Sequence, residues 1–374
     1  MFKFLLLDRI QKIKSIDEMY DLENNSYVSF SGGKDSTVLH YLIDTALPGN
    51  KIPRVFLNTG IEYRYIVDFV QKLSKKDERI KIISPKQNIK EVLTDYGYPF
   101  KSKEHSQKVA LYQHSGMTKT VSDYLGNGNK KSFLCPEKLK YQFTENFSLK
   151  VSDKCCFKMK KEVVETFTKE NSRPIAITGV RQGEGGLRKS MKGCTTFTSN
   201  KLHKFHPLFP LEDDWIDWFI KENKIELCKL YYPPFNFLRT GCKGCPFSIE
   251  LEKQLEVMKF LLPQEYKQCN LIWKPVYDEY RRIGYRLKPY KQFNLFTVKE
   301  RVNNGDYLVL IRNANENYDI SEFATNKESL VYDIFDKWCN NATFFKFSNV
   351  KGRYIVIMLN KHNDRYQVND CSII

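Results

Sequence analysis

No stretch of this sequence approaches the about 18 uninterrupted apolar residues that a membrane-crossing helix requires, so a membrane-spanning role is set aside. The apolar start, MFKFLLLDRIQKIKSIDEMY, is too short for a secretory signal and runs into charges at helical spacing instead of a cleavage site. No internal repeat and no low-complexity segment is present, which excludes a repeat array. Lysines are dispersed and form no basic block. The expectation is a cytoplasmic protein. In that reducing compartment, clustered members of the 10 cysteines read as metal or cluster ligands and not as disulfides.

With 374 residues, 41% of them hydrophobic, the chain can bury a sizeable core in one large domain with an appendage, or in two domains. Lys and Arg total 60 against 44 acidic residues. The net charge of +16 suits an anionic partner such as nucleic acid, nucleotide phosphate or sulfate. A lysine-rich, AT-biased genome accounts for it equally well.

The spacing predicts an N-terminal helix over about residues 8 to 21. Four β-branched runs follow, "SYVSFS", "IPRVFLNT", "IKIIS" and "RPIAITGV", each leading into a helical pattern. Strands alternating with helices imply an α/β fold, Rossmann-like, with a mostly parallel sheet covered on both faces. Ligands bind such sheets at the carboxyl ends of the strands, so the loops after Ser31, Thr59 and Val180 should converge on one crevice. Residues 101 to 150 read as polar and irregular, with "YLGNGNKKS" as a mobile loop. The expected organisation is a nucleotide-binding domain over 1–249, a helical extension over 250–290 and a small α/β module over 291–374. In that module "DYLVLIRN" and "RYIVIMLN" read as strands and "KESLVYDIFDKWCNN" as a helix.

Between the first strand and its helix lies "SFSGGKDSTV". A strand feeding a glycine-bearing turn into a helix N-terminus aims free backbone N–H groups at one point, where an anion belongs. Gly32 and Gly33 let the backbone approach phosphate, Ser31 and Ser36 add hydroxyls, and Lys34 adds charge. Asp35 favours the helix start or bridges to phosphate through Mg²⁺. The Walker pattern fails, because Asp follows Lys34.

These six residues resemble the SGGKDS loop of the PP-loop, or adenine nucleotide α-hydrolase-like, superfamily. "VFLNTGIEYRYIVDFV", "YGYPFKSKEHSQK", "SDKCCFKMKK", "ITGVRQGEGGLRKS", "HPLFPLEDDWIDWFI" and "FLRTGCKGCPF" are similar, in order, to blocks of the phosphoadenosine phosphosulfate (PAPS) reductase-like family, especially its bacterial and phage-borne members. The resemblance runs from about residue 25 to 250. It implies an adenine nucleotide (ATP, adenylylsulfate (APS) or PAPS) on residues 31–36, with Asn58, Thr59 and Gly60 flanking it. Gly179 would turn the chain so that Arg181, assisted by Arg188, points a bidentate donor at phosphate or sulfate. Lys103 and Gln107 either reach over the ligand or belong to a solvated loop. The family's Glu-Ser after this arginine is replaced here by Glu184-Gly185.

Cys155 and Cys156 are adjacent, and Cys242 and Cys245 form a C-x-x-C. Two such pairs supply four ligands. Their arrangement resembles the [4Fe–4S] ligands of the APS reductase branch, with zinc as the alternative. Missing is the family's C-terminal Glu-Cys-Gly-x-His, whose thiolate attacks sulfur. Cys371, read as lying on a terminal tail, and Cys194 in "KGCTT" are the remaining candidate nucleophiles.

Three readings follow. In the first, Lys34, Asp35 and Arg181 support ATP-pyrophosphatase-type activation or sulfur transfer to an acceptor such as nucleic acid, with a sulfur donor protein. The second is a PAPS or APS reductase that makes sulfite with a thiol reductant. The third is a non-catalytic nucleotide- or cluster-sensing regulator. Oligomeric state is not legible in the sequence.

Overall fold

The protein was analysed as a computed structural model that describes residues 2–128, 133–184, 188 and 191–288, and five further strands between 307 and 373. It divides into two compact units, Met1–Glu279 and Tyr280–Ile374.

The first unit is built on six strands: β1 (Ser26–Ser29), β2 (Arg54–Leu57), β3 (Ile80–Ile83), β4 (Ile175–Ile177), β5 (Thr195–Thr198) and β6 (Lys201–Phe205). Their order is β3-β2-β1-β4-β6-β5, parallel throughout except for the antiparallel β5–β6 pair at one edge. Alternation along the strands supplies both faces. Val28, Ile175 and Ile177 join Leu202 and Phe205 in a core that also takes Ile13 and Ile16, Leu39 and Ile43, and Trp215 and Phe219 from three helices. Their neighbours Tyr27 and Ala176 face the other way, with Val55, and pack under Val164 and Phe167. A mostly parallel sheet buried on both faces is therefore the fold of this unit.

Several elements differ from the sequence expectation. The N-terminal helix spans Phe2–Tyr20, longer than the periodicity predicts, because Phe2, Leu5 and Leu6 pack onto the core ahead of the charged turns. The segment expected to be irregular contains helices Lys103–Ser115 and Lys119–Leu125, with the Ser102 and Thr118 side chains accepting from His105 N and Val121 N. Residues 129–132 of "YLGNGNKKS" lie outside the described residues. Helices Leu251–Leu261 and Pro263–Ile272 fall within the first compact unit. Tyr63 Oη donates to Met258 Sδ at 3.4 Å, and Arg64 N to Glu265 Oε1 at 2.8 Å.

At the amino ends of β2 and β3 sits a buried ionic network. Arg54 Nη2 donates to Asp44 Oδ1 at 2.6 Å, and its Nε to His40 Nδ1 at 3.2 Å. Arg79 bonds both Asp44 and Asp77 at 2.8 to 2.9 Å. This network braces the end of the sheet opposite the phosphate loop.

In the second unit the described strands are β7 (Tyr307–Asn313), β8 (Ile320–Thr325), β9 (Ala342–Val350), β10 (Arg353–His362) and β11 (Arg365–Ile373). They form an antiparallel sheet of order β11-β10-β9-β7-β8. The helix expected at "KESLVYDIFDKWCNN" lies outside the described residues. Cys371 is not on a free tail: it is paired with Ile357 in the β10–β11 ladder, which fixes its backbone.

Candidate functional site

Residues 31–36 join β1 to the helix Lys34–Ala46. Gly32 has φ +68°, and a Cβ there would lie 2.8 Å from Val70 Cγ2, so glycine is required. Gly33 is the N-cap and no side chain caps the helix. The serines brace the loop: Ser36 Oγ accepts from Ser31 N at 3.1 Å and donates to Gly33 O at 3.0 Å, while Ser31 Oγ accepts from Gly33 N at 3.3 Å. Lys34 N donates to Tyr231 Oη at 3.0 Å, and that hydroxyl lies 2.9 Å from Thr240 Oγ1. Tyr231 and Thr240 thus close the loop from a distant part of the chain, a contact with no local sequence signal.

The loop after β4 meets the start of the same helix. A Cβ on Gly179 would lie 3.2 Å from the carbonyl carbon and oxygen of Asp35, tight enough to favour glycine. Arg181, 5% exposed, follows two residues later. Its Nε donates to Asp35 Oδ1 at 3.1 Å and its Nη2 to Asp213 Oδ1 at 2.6 Å. The guanidinium holds the Asp213 carboxyl below the usual carboxylate range. Lys34 Nζ pairs with Asp217 Oδ1 at 3.2 Å, one helical turn beyond Asp213. The two cations expected to meet phosphate therefore lie together at the loop, each facing a carboxylate of the helix Asp213–Glu222. Arg188 acts on His206: burial first, then Lys204 and Arg188, lower the His206 pKa to about 4.

Beside the loop is a cavity of about 220 Å³. Its walls are β1 with the loop (Tyr27, Ser29, Phe30, Ser31), β2 (Val55, Phe56, Leu57), Ile66 and Val164, and its polar lining includes Glu62, Lys160 and Thr240. Thr59 and Asn58 stand behind this lining. Thr59, 4% exposed, gives its N–H to Glu62 Oε2 at 2.8 Å and its hydroxyl to Glu62 Oε1 at 2.7 Å. Asn58 Oδ1 accepts from Gly60 N at 3.2 Å, and Gly60 turns with φ +80°. Lys103 and Gln107 do not line the cavity; Gln107 Nε2 donates to Asp153 Oδ2 at 2.8 Å.

The two cysteine pairs meet at one end of this cavity. Lys154–Cys156 starts a helix that widens into a π-turn at Phe157–Lys161 before continuing as Glu162–Glu170. Lys160 of the π-turn and Val164 line the cavity. Lys160 is close enough to Cys242 and Glu62 for their charges to interact; burial works against its charge, but Cys242 and Glu62 hold its pKa above the usual lysine value. Gly241, next to Cys242, also lines the cavity. The C-x-x-C turn is clamped from behind. Gly244 has φ +61°, a Cβ there would lie 2.4 Å from Tyr277 Oη and 2.8 Å from Cys269 Sγ, Trp273 Nε1 donates to Lys243 O at 3.2 Å, and Lys243 N donates to Ile61 O at 2.8 Å.

Cys155, Cys156, Cys242 and Cys245 are close enough for their charges to interact. Burial is the main cause that raises the pKa of Cys155 and Cys242, and of Cys245 to about 12, so as free thiols they stay protonated until a metal displaces the protons. Among the described residues the ligating atoms of His40, Asp44 and Asp77 form the trio within 4.8 Å of one another, and the four thiols are spread more widely. Arg54 and Arg79 already occupy that trio. One tetrahedral metal with bonds of about 2.3 Å needs its sulfurs roughly 3.8 Å apart. The four thiols, with the Lys160 ammonium beside them, form a donor set that would suit a thiolate-held metal or iron–sulfur cluster. Cys194, the other candidate nucleophile in this unit, packs against the main core.

No helix among the described residues is long and apolar enough to cross a membrane. An uncharacterized protein of Methanocaldococcus jannaschii is 30% identical over 153 residues, which are 37% of this chain; the chain spans only about a third, 36%, of the length of that curated relative. Among solved structures, a PAPS reductase from Candida auris in complex with phosphate is 16% identical with a TM-score of 0.37, over 62% of this chain and 87% of that one. The U34-tRNA thiolase of Methanococcus maripaludis with its [4Fe–4S] cluster is 15% identical with a TM-score of 0.33, over 76% and 80%. Likenesses at this level identify neither a reaction nor a ligand. The model of the phosphoadenosine phosphosulfate reductase domain matches residues 25–128 and 118–248, more than half of the sequence. Together with the phosphate loop on the first strand of the sheet, that match decides the family: this chain belongs to the PAPS reductase domain family, among the adenine-nucleotide-binding PP-loop proteins.

Proposed function

We propose that the protein is an enzyme of sulfur chemistry that binds ATP on residues 31–36 and transfers its adenylyl group to an oxygen of an acceptor such as nucleic acid with release of pyrophosphate, AMP then leaving with that oxygen as sulfide-level sulfur from a sulfur donor protein takes its place. The observation that carries this reading is the common wall of the two sites: Lys160 and Gly241, the neighbour of Cys242, line the same cavity as Ser31. The nucleoside fills the cavity, and Lys34 and Arg181 are placed to take the phosphates by exchanging Asp217 and Asp213 for a stronger anion. Asp35, bonded to Arg181, faces the same point and is the carboxylate for Mg²⁺. Cys155, Cys156, Cys242 and Cys245 would hold a [4Fe–4S] cluster, which when bound supplies redox or sulfur-relay chemistry next to the nucleotide.

Sulfite formation from PAPS or APS needs an attacking thiolate. Cys371 is held in a β-ladder of the second unit and the half-buried Cys194 packs against the core of the first, which favours the first reading over this one. The test is product identification after anaerobic incubation with ATP, APS or PAPS, a thiol reductant, and nucleic acid present or absent. AMP and pyrophosphate from ATP support the proposal. Sulfite from APS or PAPS replaces it with the reductase reading.

A further inference from the structure

The cavity carries a charge pattern that bears on which adenine nucleotide enters it, an inference that rests on the nucleotide reading above. With phosphates held at residues 31–36, the nucleoside is the part that occupies the cavity, so the ribose hydroxyls meet its polar lining. Tyr27, Phe30, Val55, Phe56, Ile66 and Val164 offer apolar walls suited to a base. Among the lining residues the charged groups are one carboxylate, Glu62, and one ammonium, Lys160.

Glu62 is rigid. Thr59 holds both of its oxygens, at 2.8 Å through the backbone N–H and 2.7 Å through the hydroxyl. Each oxygen keeps a second acceptor position, so the carboxylate still takes hydrogen bonds from two neighbouring hydroxyls. The one charge of Lys160 is shared between Glu62 and the cysteine set, with which it interacts, and this leaves little of it to neutralise an added phosphate. A carboxylate that accepts from ribose hydroxyls and repels a phosphate in their place is the same device by which an acidic residue selects NAD over NADP in dinucleotide-binding folds. We infer that Glu62 is a specificity-determining residue: it selects an adenine nucleotide with both ribose hydroxyls free and rejects one carrying a 3′-phosphate. That choice places ATP and APS inside the site and PAPS outside it.

Equilibrium dialysis on the anaerobically purified full-length protein, with AMP and adenosine 3′,5′-bisphosphate as probes, tests this. Two like charges a few ångströms apart in a partly buried site predict weaker binding of the bisphosphate by about tenfold or more. In Glu62→Gln the gap should narrow, chiefly through tighter bisphosphate binding. Equal or tighter binding of the bisphosphate by the unmodified protein overturns the inference and leaves the nucleotide site standing. A gap that Glu62→Gln does not change overturns Glu62 as its source. Failure of both probes to bind removes the nucleotide reading itself, and this inference with it.

Discussion

Lys160 stands close enough to Cys242 for their charges to interact, which brings the helix that begins at the first cysteine pair to the turn that carries the second. Because Lys160 also lines the cavity beside Ser31, a cluster held by the four cysteines and a nucleotide held at residues 31–36 would share a wall. Burial raises the pKa of Cys155, Cys242 and Cys245, and a buried ammonium beside them offsets the charge that metal binding creates.

Cys242→Ala removes the thiol whose charge interacts with Lys160. Anaerobically purified Cys242→Ala should lose most of its iron, acid-labile sulfide and visible colour; iron and sulfide contents equal to those of the unmodified protein would reject the cluster assignment.

Lys34→Ala should abolish stabilisation by ATP. A ligand at about 100 times its Kd stabilises the native state by about 2.7 kcal/mol, and thermal melts with and without ATP read this directly. The ion pair Lys34 makes is with a two-thirds-exposed Asp217, so the melting temperature without ATP should hardly change. An undiminished ATP shift in the variant moves the nucleotide elsewhere.

Gly32→Ala forces a Cβ to 2.8 Å from Val70 Cγ2 at φ +68°. The strain should cost about 1–3 kcal/mol and lower ATP affinity as well, because the loop's backbone shifts. Chemical denaturation checks the first effect and dialysis the second; an unchanged midpoint would contradict the packing described.

Acid should weaken the sheet end opposite the loop. Burial, then the Arg54 charge, lower the His40 pKa to about 4, and its Nδ1 accepts from Arg54 Nε. An unfolded histidine titrates near 6.5. The unfolded chain therefore binds more protons between these values, and stability present above about pH 6.5 is lost as pH falls towards 4, by about 3 kcal/mol for this residue. Melting temperatures from pH 7 to 4.5 should fall, and less steeply in His40→Gln; a flat profile over that window contradicts the buried neutral imidazole.

What was legible in the sequence was local. The phosphate loop is read from consecutive residues, and β1 to β4 from β-branched runs, because strand, turn and helix start all lie within a few residues. The helix Lys103–Ser115 was hidden because its buried face includes His105 and Ser106, so apolar periodicity is faint. β5 and β6 were hidden for a similar reason: "TTFT", the edge strand, is half-buried or exposed, and its neighbour "KLHKF" buries only Leu202 and Phe205. Glu62, Lys160, Tyr231 and Thr240 became visible only in three dimensions. Tyr231 reaches Lys34 across most of the domain, and Lys160 reaches the cavity through a π-turn that no residue pattern announces. Arg181 was found in the sequence, but its carboxylate partner Asp213 was not.

The central claim is that nucleotide and cysteine sets form one site. Recording the electron paramagnetic resonance spectrum of the reduced, anaerobic protein before and after adding ATP tests it most directly. The account predicts a cluster signal whose shape changes with ATP in the unmodified protein and stays fixed in Lys34→Ala; a signal indifferent to saturating ATP, or no signal from protein that binds ATP, would contradict it.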